Sequence, residues 1–385
     1  MAGGYFWYYG AIGVFVPFLA LYLRELGFSG LQVGVLTALP SIGVAVAGPV
    51  IGAVSDARGS HRWALRIGLA AGSGFAAAGS LLDGFPALFL VMAGLALALA
   101  TVPSMMDSYA VVVSDRGGRS YGAMRVWGSL GYMVAVLVIG RLMGDDVTSL
   151  VFVGYAACLG VTLLVVASLP ALGERRAQPL LAGIADAFAS RSLAVLLLVA
   201  FLISSGTAVM NVYLGVHIEG IGGSASLIGL AFAISAASEL PVVAFGGWFL
   251  ARLGAFRLAV LAIAVYAARF VAFGIITTPN LVLVVQLFHG LSYGAFLMAS
   301  VTLAHRLAPP GRAATAQALL TAMSFGFGAI VGSLVAGALL DVIGTAGLFR
   351  ASAALMAVTL SVLIAGDRVI GLDRPASPIA GDNES

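Results

Sequence analysis

From residue 5 to residue 366 the sequence is a succession of apolar runs about 20 residues long, separated by short polar breaks. A helix of that length is roughly 30 Å long, the thickness of the hydrocarbon core of a bilayer. Inside hydrocarbon every backbone N–H and C=O must find a partner within the protein, so runs of this kind fold as membrane-spanning helices. Twelve are counted, near 5–24, 32–54, 64–83, 86–113, 121–142, 148–170, 193–214, 225–250, 257–277, 280–304, 313–340 and 346–366. With 61% hydrophobic and 9% charged residues, a chain of 385 residues has too little charge to cover a water-facing surface. The expected fold class is an all-α polytopic membrane protein.

An even number of spans places both termini on one side. All 19 basic residues are Arg. Fourteen fall in the loops after the even-numbered helices and in the C-terminal tail, three (Arg24, Arg141, Arg350) in the opposite loops, and two (Arg125, Arg269) inside spans. The positive-inside rule then makes both termini cytoplasmic and the chain a multi-pass protein of the cell membrane. The arginines are thus topology signals and give no reason to expect nucleic acid. The first run lacks a charged leader region and is followed by many more spans, so it is expected to be a retained helix and no signal peptide. Cys158 is alone in an apolar run, which excludes an intramolecular disulfide and offers no metal cluster. No cofactor is expected, and the partners are the lipid bilayer, a small-molecule substrate and protons, with the chain acting as a monomer.

The longest break, 171–192, divides the chain into an N-terminal six-helix bundle (1–170) and a C-terminal one (193–366), joined by a cytoplasmic loop. A polar tail, 367–385, has the composition of a disordered segment. A repeat supports the division. Gly34, Gly52, Gly59 and Arg62 recur 195 positions later as Gly229, Gly247, Gly254 and Arg257, and Gly118-Arg119 recurs as Gly311-Arg312. Two halves related by an axis along the membrane normal have this pattern. The stretch Gly52-Ala-Val-Ser-Asp56-Ala-Arg58-Gly59-Ser-His-Arg62 resembles the loop between helices 2 and 3 of the major facilitator superfamily. That resemblance implies two six-helix bundles rocking about a central site. It makes Gly52, Asp56, Gly59 and Arg62 a gating loop.

Ionisable residues inside a span are costly, about 3 kcal/mol on insertion scales, and mark pathways for solutes and protons. Five lie well inside: Asp107, Arg125, Glu239, Arg269 and His289. Counted from the nearest loop, Asp107 and Arg125 lie at matched depth, as do Glu239 and Arg269, so each carboxylate is expected to pair with its arginine. Arg125, Gly128, Ser129 and Tyr132 share one helix face, and so do Gln286, His289, Ser292 and Tyr293. Pro103 and Pro241 are expected to bend their helices beside the charged sites.

The pattern around Asp107, Arg125 and Trp127-Gly128-Ser129, with Glu239-Leu-Pro241, Arg269 and Gln286-Leu-Phe-His289, is similar to the phenylpropionate-permease-like branch of the superfamily, a cousin of lactose permease and the nucleoside–proton symporters. The resemblance implies that Asp107, Arg125, Ser129 and Tyr132 bind substrate. It implies that Glu239, Arg269, Gln286 and His289 couple protons. Two positions depart from lactose permease: Ser292 stands where a proton-carrying glutamate is found, and Gln286 where a lysine is found. The expectation is proton-coupled uptake of a small organic solute such as an aromatic carboxylate, with a nucleoside or sugar as the alternative. Protonation of Glu239 would free Arg269 to hold the substrate carboxylate.

Export is disfavoured because helix 5 has no proline. Enzymatic and ATP-driven activities are disfavoured because the four histidines are scattered, and no HExxH, GxSxG or Gly-rich phosphate loop occurs.

Overall fold

The structure is a computed structural model that describes residues 1–51, 61–117, 120–144, 149–169 and 190–370. Among these no strand occurs. Ten segments are long and apolar enough to cross a membrane. Dividing the longest, Ala313–Arg368, at Gly344 (φ 65°) and adding His61–Gly79, whose hydropathy Arg62 and Arg66 reduce, gives twelve spans.

They are α1 (Ala2–Glu25), α2 (Gly30–Ile51), α3 (His61–Gly79), α4 (Phe85–Asp115), α5 (Tyr121–Met143), α6 (Leu150–Ala167) and α7 (Arg191–Gly220). The second half continues with α8 (225–253), α9 (255–275), α10 (Leu281–Leu307), α11 (313–343) and α12 (345–370). Serine hydroxyls cap several starts. Ser29 forms a reciprocal capping box with Gln32, and Ser120, Ser190 and Ser224 accept from backbone N–H groups at the starts of α5, α7 and α8. The turns between α8 and α9 and between α11 and α12 are single glycines, Gly254 (φ 72°) and Gly344, in a conformation that side-chain-bearing residues avoid.

Both prolines act near where the sequence places them. α4 is interrupted at Ala100–Thr101, and Pro103 opens its second part. α8 is interrupted at Phe245, whose N–H bonds to the Pro241 carbonyl. The expected boundaries at 192 and 366 both fall inside helices, because α7 begins at Arg191 and α12 runs to Ile370. Residues 171–189 and 371–385, and with them Gly52, Asp56, Gly59, Gly118 and Arg119, lie outside the described residues. Arg62 donates to the Ala167 carbonyl at 3.2 Å, tying α3 to the end of α6 within its own half.

α1 packs on α5 and α6, and α7 packs on the 313–370 hairpin. Across the middle, α2 meets that hairpin and α5 meets α8. These crossings are tight at the end where α1 finishes. A Cβ on Gly34 would lie 2.6 Å from the Ser333 carbonyl, and one on Gly140 would lie 2.7 Å from the Ala225 carbonyl. Gly229, the repeat partner of Gly34, makes the mirrored approach, with the Val136 carbonyl 2.5 Å from its would-be Cβ. The repeat read in the sequence therefore marks, at this pair, backbone surfaces where opposite halves touch. Arg24 adds an ion pair to Asp341 at 2.8 Å, and the Gly30 N–H donates to the same carboxylate at 2.6 Å. This end of the bundle is closed.

Candidate functional site

Between the halves lies a cavity of about 580 Å³. It extends from Tyr9, Arg125 and His289 toward Ser41 of α2 and Gln317 and Thr321 of α11. Ser41 is midway along α2, and Gln317 and Thr321 lie in the first turns of α11, so the cavity runs toward the end opposite the closed one.

On the N-terminal wall Arg125, Gly128, Ser129 and Tyr132 all line the cavity, as their shared helix face requires. The expected pair of Arg125 with Asp107 is not formed. The Arg125 guanidinium instead lies over the ring of Tyr9, 3.9 Å from its centroid, with the Tyr5 ring at 5.7 Å. Asp107 accepts a 2.6 Å hydrogen bond from the Tyr5 hydroxyl. The reason is a third helix. Matched depth on α4 and α5 brings the two charges to one level, but α1 inserts its tyrosines between them. A cation on a ring face at a partly exposed wall gains about 1 kcal/mol, and more as bound solute excludes water.

On the C-terminal wall the expected pair of Glu239 with Arg269 is also replaced. Glu239 Oε1 is 3.1 Å from His289 Nε2. Arg269, only 3% exposed, donates to the Ser292 hydroxyl at 2.7 Å, to Gln286 Oε1 at 2.6 Å and to the Val285 carbonyl at 3.2 Å. Its partners thus include the two positions, 286 and 292, where the sequence departs from lactose permease. All are neutral, so its charge is held by dipoles, with no carboxylate in contact among the described residues. Gln286, Glu239 and His289 line the cavity, and Arg269 stands behind Gln286.

The Glu239–His289 contact follows from how closely α8 and α10 approach. Gly290 N–H donates to the Ser238 hydroxyl at 2.9 Å, and a Cβ on Gly290 would meet the Ser238 backbone. At Gly290–Gly294 α10 widens into a π-helical turn, a feature common at functional sites. The His289 ring stacks on Tyr293, 5.5 Å apart at 15°.

Sequence reasoning missed Tyr9 on α1, Thr207 and Asn211 on α7, and Gln317 and Thr321 on α11, all of which line the cavity. Asn211 is a polar residue inside the expected span 193–214 and could have been found on that ground. Tyr9 could not, because Tyr5-Phe-Trp-Tyr-Tyr9 reads as a uniformly aromatic, apolar run.

Comparison with known proteins agrees with this architecture. The model of the family described as "MFS_1 like family" matches residues 1–351. Maltose permease of Geobacillus stearothermophilus is 32% identical over 378 residues, covering 94% of this chain and 93% of that protein. The uncharacterized transporter YwbF of Bacillus subtilis (strain 168) is 24% identical, covering 85% and 83%. Among solved structures, the nucleoside transporter NupG superposes with a TM-score of 0.86 at 19% identity, covering 94% of this chain and 97% of that one. A D-xylose-proton symporter superposes with a TM-score of 0.70 at 13% identity, covering 94% and 95%.

Proposed function

Since the chain belongs to the MFS_1 like family of membrane transporters, we propose that it is a proton-coupled symporter that takes up a neutral, polyhydroxylated solute of disaccharide or nucleoside size. The observation that carries this reading is the balance of the cavity. With His289 neutral, the two charged groups that line it, Arg125 and Glu239, cancel, and so do Arg269 and Asp107 behind the wall. The uncharged polar groups of the wall are hydroxyls, amides and tyrosines, set among apolar side chains such as Phe15, Phe232, Phe296 and Phe325, a mixture that suits hydroxyl groups and the faces of rings. The name of the maltose permease relative and that of the xylose–proton symporter neighbour support the same solute class. The Glu239–His289 pair is the proton site. Glu239 is partly exposed to the cavity, so it exchanges protons with the water that the solute displaces. With both termini cytoplasmic, the closed end is the outer one and the structure is inward-facing.

An aromatic carboxylate is the second reading. It is favoured by one observation, that neither Arg125 nor Arg269 has a carboxylate within ion-pair distance among the described residues. Charge movement separates the two. A neutral solute carried with one proton moves net charge, so an inside-negative potassium diffusion potential alone drives its accumulation. A monocarboxylate carried with one proton moves none. Proteoliposomes tested with disaccharides, nucleosides and aromatic carboxylates are expected to accumulate a member of one of the first two classes under that potential. Uptake confined to carboxylates, and indifferent to potential, rejects the first reading.

The tight outer crossings give a prediction about the transport cycle. Gly34→Trp has no room while the Ser333 carbonyl is 2.6 Å from the position of its Cβ, and neither backbone can yield. The variant is expected to lose net uptake while still binding solute, because the halves cannot close on the outer side. Accessibility of a cysteine placed at Thr207 to a membrane-impermeant thiol reagent from outside is the check, and it should rise. Wild-type transport in this variant would mean that the Gly34 crossing is not part of the outer seal.

A further inference from the structure

Asp107 corresponds, through the resemblance, to a carboxylate that touches substrate, yet neither it nor Tyr5 lines the cavity. We propose that Tyr5 and Asp107 are positioning residues that act through Tyr9 to hold the Arg125 guanidinium at the cavity wall. This role rests on the reading above, in which Arg125 meets the solute.

Four groups form a line from helix packing to cavity. Asp107 accepts the Tyr5 hydroxyl at 2.6 Å, which fixes the rotation of a ring that is 1% exposed. That ring stacks on Tyr9, 6.3 Å between centroids at 22°. The face of Tyr9 carries Arg125 at 3.9 Å. An arginine side chain loses about 2 kcal/mol of rotamer entropy when it is fixed. Among the described residues no carboxylate contacts Arg125, so the stacked rings supply its orientation. Removing the Tyr5 hydroxyl frees the first ring, loosens the second, and lets the guanidinium sample other directions. Tyr5 supports it directly as well, at 5.7 Å. The carboxylate is needed in this scheme as a hydrogen-bond acceptor, and an amide oxygen also accepts. The charge of Asp107 enters only at longer range.

The test uses the purified full-length protein with Tyr5→Phe, Asp107→Leu, Asp107→Asn and the double variant Tyr5→Phe/Asp107→Leu. Two quantities are read in each. One is the rate at which phenylglyoxal, an arginine reagent, modifies Arg125, followed by peptide mass spectrometry. The other is the affinity for whichever disaccharide or nucleoside stabilises the wild-type protein. Tyr5→Phe and Asp107→Leu are each expected to raise the labelling rate severalfold and to weaken solute binding about tenfold, the scale of one lost hydrogen bond. The double variant should be no worse than either single one, since both cut the same line. Asp107→Asn should stay within about threefold of wild type in both readouts, a rescue that a direct ionic contact with solute would not give, and the faster Arg125 labelling in Tyr5→Phe, which keeps the ring in place, is what a general packing role would not give. The proposal is overturned if Asp107→Asn is as damaging as Asp107→Leu, or if Tyr5→Phe leaves Arg125 labelling at the wild-type rate. A wild-type protein that binds no disaccharide or nucleoside rejects the solute class proposed above, and the labelling rates then decide the positioning role alone.

Discussion

Glu239→Gln is expected to bind solute and exchange it across the membrane while losing the ability to concentrate it. Glutamine has the shape of glutamate, and its amide oxygen can take the His289 Nε2–H that Oε1 takes at 3.1 Å in the wild type. Packing between α8 and α10 is then kept, because it depends on Gly290 and Ser238 rather than on the carboxylate. What disappears is the group that gains and loses the proton. A symporter whose proton site is fixed in one state can still carry solute down its own gradient, and it can swap bound solute for external solute. It has no means of spending the proton gradient. The accumulation ratio should fall from its wild-type value to near unity, while counterflow of labelled solute stays within a few fold. His289→Ala should be more damaging, because it leaves Glu239 without its partner at the edge of the cavity. The measurement is labelled-solute uptake in proteoliposomes with and without an imposed pH gradient. If Glu239→Gln still concentrates solute, coupling resides elsewhere. Asp107 is then the remaining carboxylate among those the sequence places deep inside a span.

The two rearranged pairs show which part of the site the sequence could reveal. Depth along a helix is countable: 1.5 Å per residue from the nearest loop put Asp107 level with Arg125, and Glu239 level with Arg269. Direction around the helix, and what a third helix places in between, is not countable. Tyr5 and Tyr9 take the places that Arg125 and Asp107 were expected to fill for each other, and His289 takes Arg269's place beside Glu239. The helix faces were legible because a period of 3.6 needs no partner. Arg125, Ser129 and Tyr132 all line the cavity, and Gln286, His289 and Tyr293 line it together. The repeat was legible for the same reason, and it found Gly34 and Gly229 as two contacts between halves. The π-helical turn at Gly290–Gly294 left no mark in the sequence beyond its two glycines. It arises from how α10 meets α8 and α9, a tertiary cause that local composition does not encode.

Arg125→Lys is expected to fold and insert normally but to bind solute about 100-fold more weakly. Lysine keeps the charge, so any role in neutralising Asp107 at a distance survives. It loses two things. The guanidinium is centred over the Tyr9 ring at 3.9 Å and carries a rigid fork of N–H donors at the cavity wall, whereas an ammonium on the same ring is a point charge with no fixed fork. Charge-assisted hydrogen bonds to solute hydroxyls are worth about 1.5–3 kcal/mol, and losing their geometry together with the stack removes roughly 3 kcal/mol. Each 1.4 kcal/mol is a factor of ten in affinity, which gives the hundredfold. The lost binding cannot be recovered by lysine reaching further, because Gly128 packs beside Arg125 and Tyr9. A Cβ at that glycine would lie 2.8 Å from both the guanidinium and the Tyr9 ring, so the pocket for the side chain is built to the size of arginine. Titration of the purified variant by calorimetry or by thermal stabilisation gives the affinity, and unchanged melting without solute shows that the fold is intact. An affinity within threefold of wild type would place solute recognition on the C-terminal wall, around Gln286 and His289, and reduce Arg125 to a structural cation on an aromatic shelf.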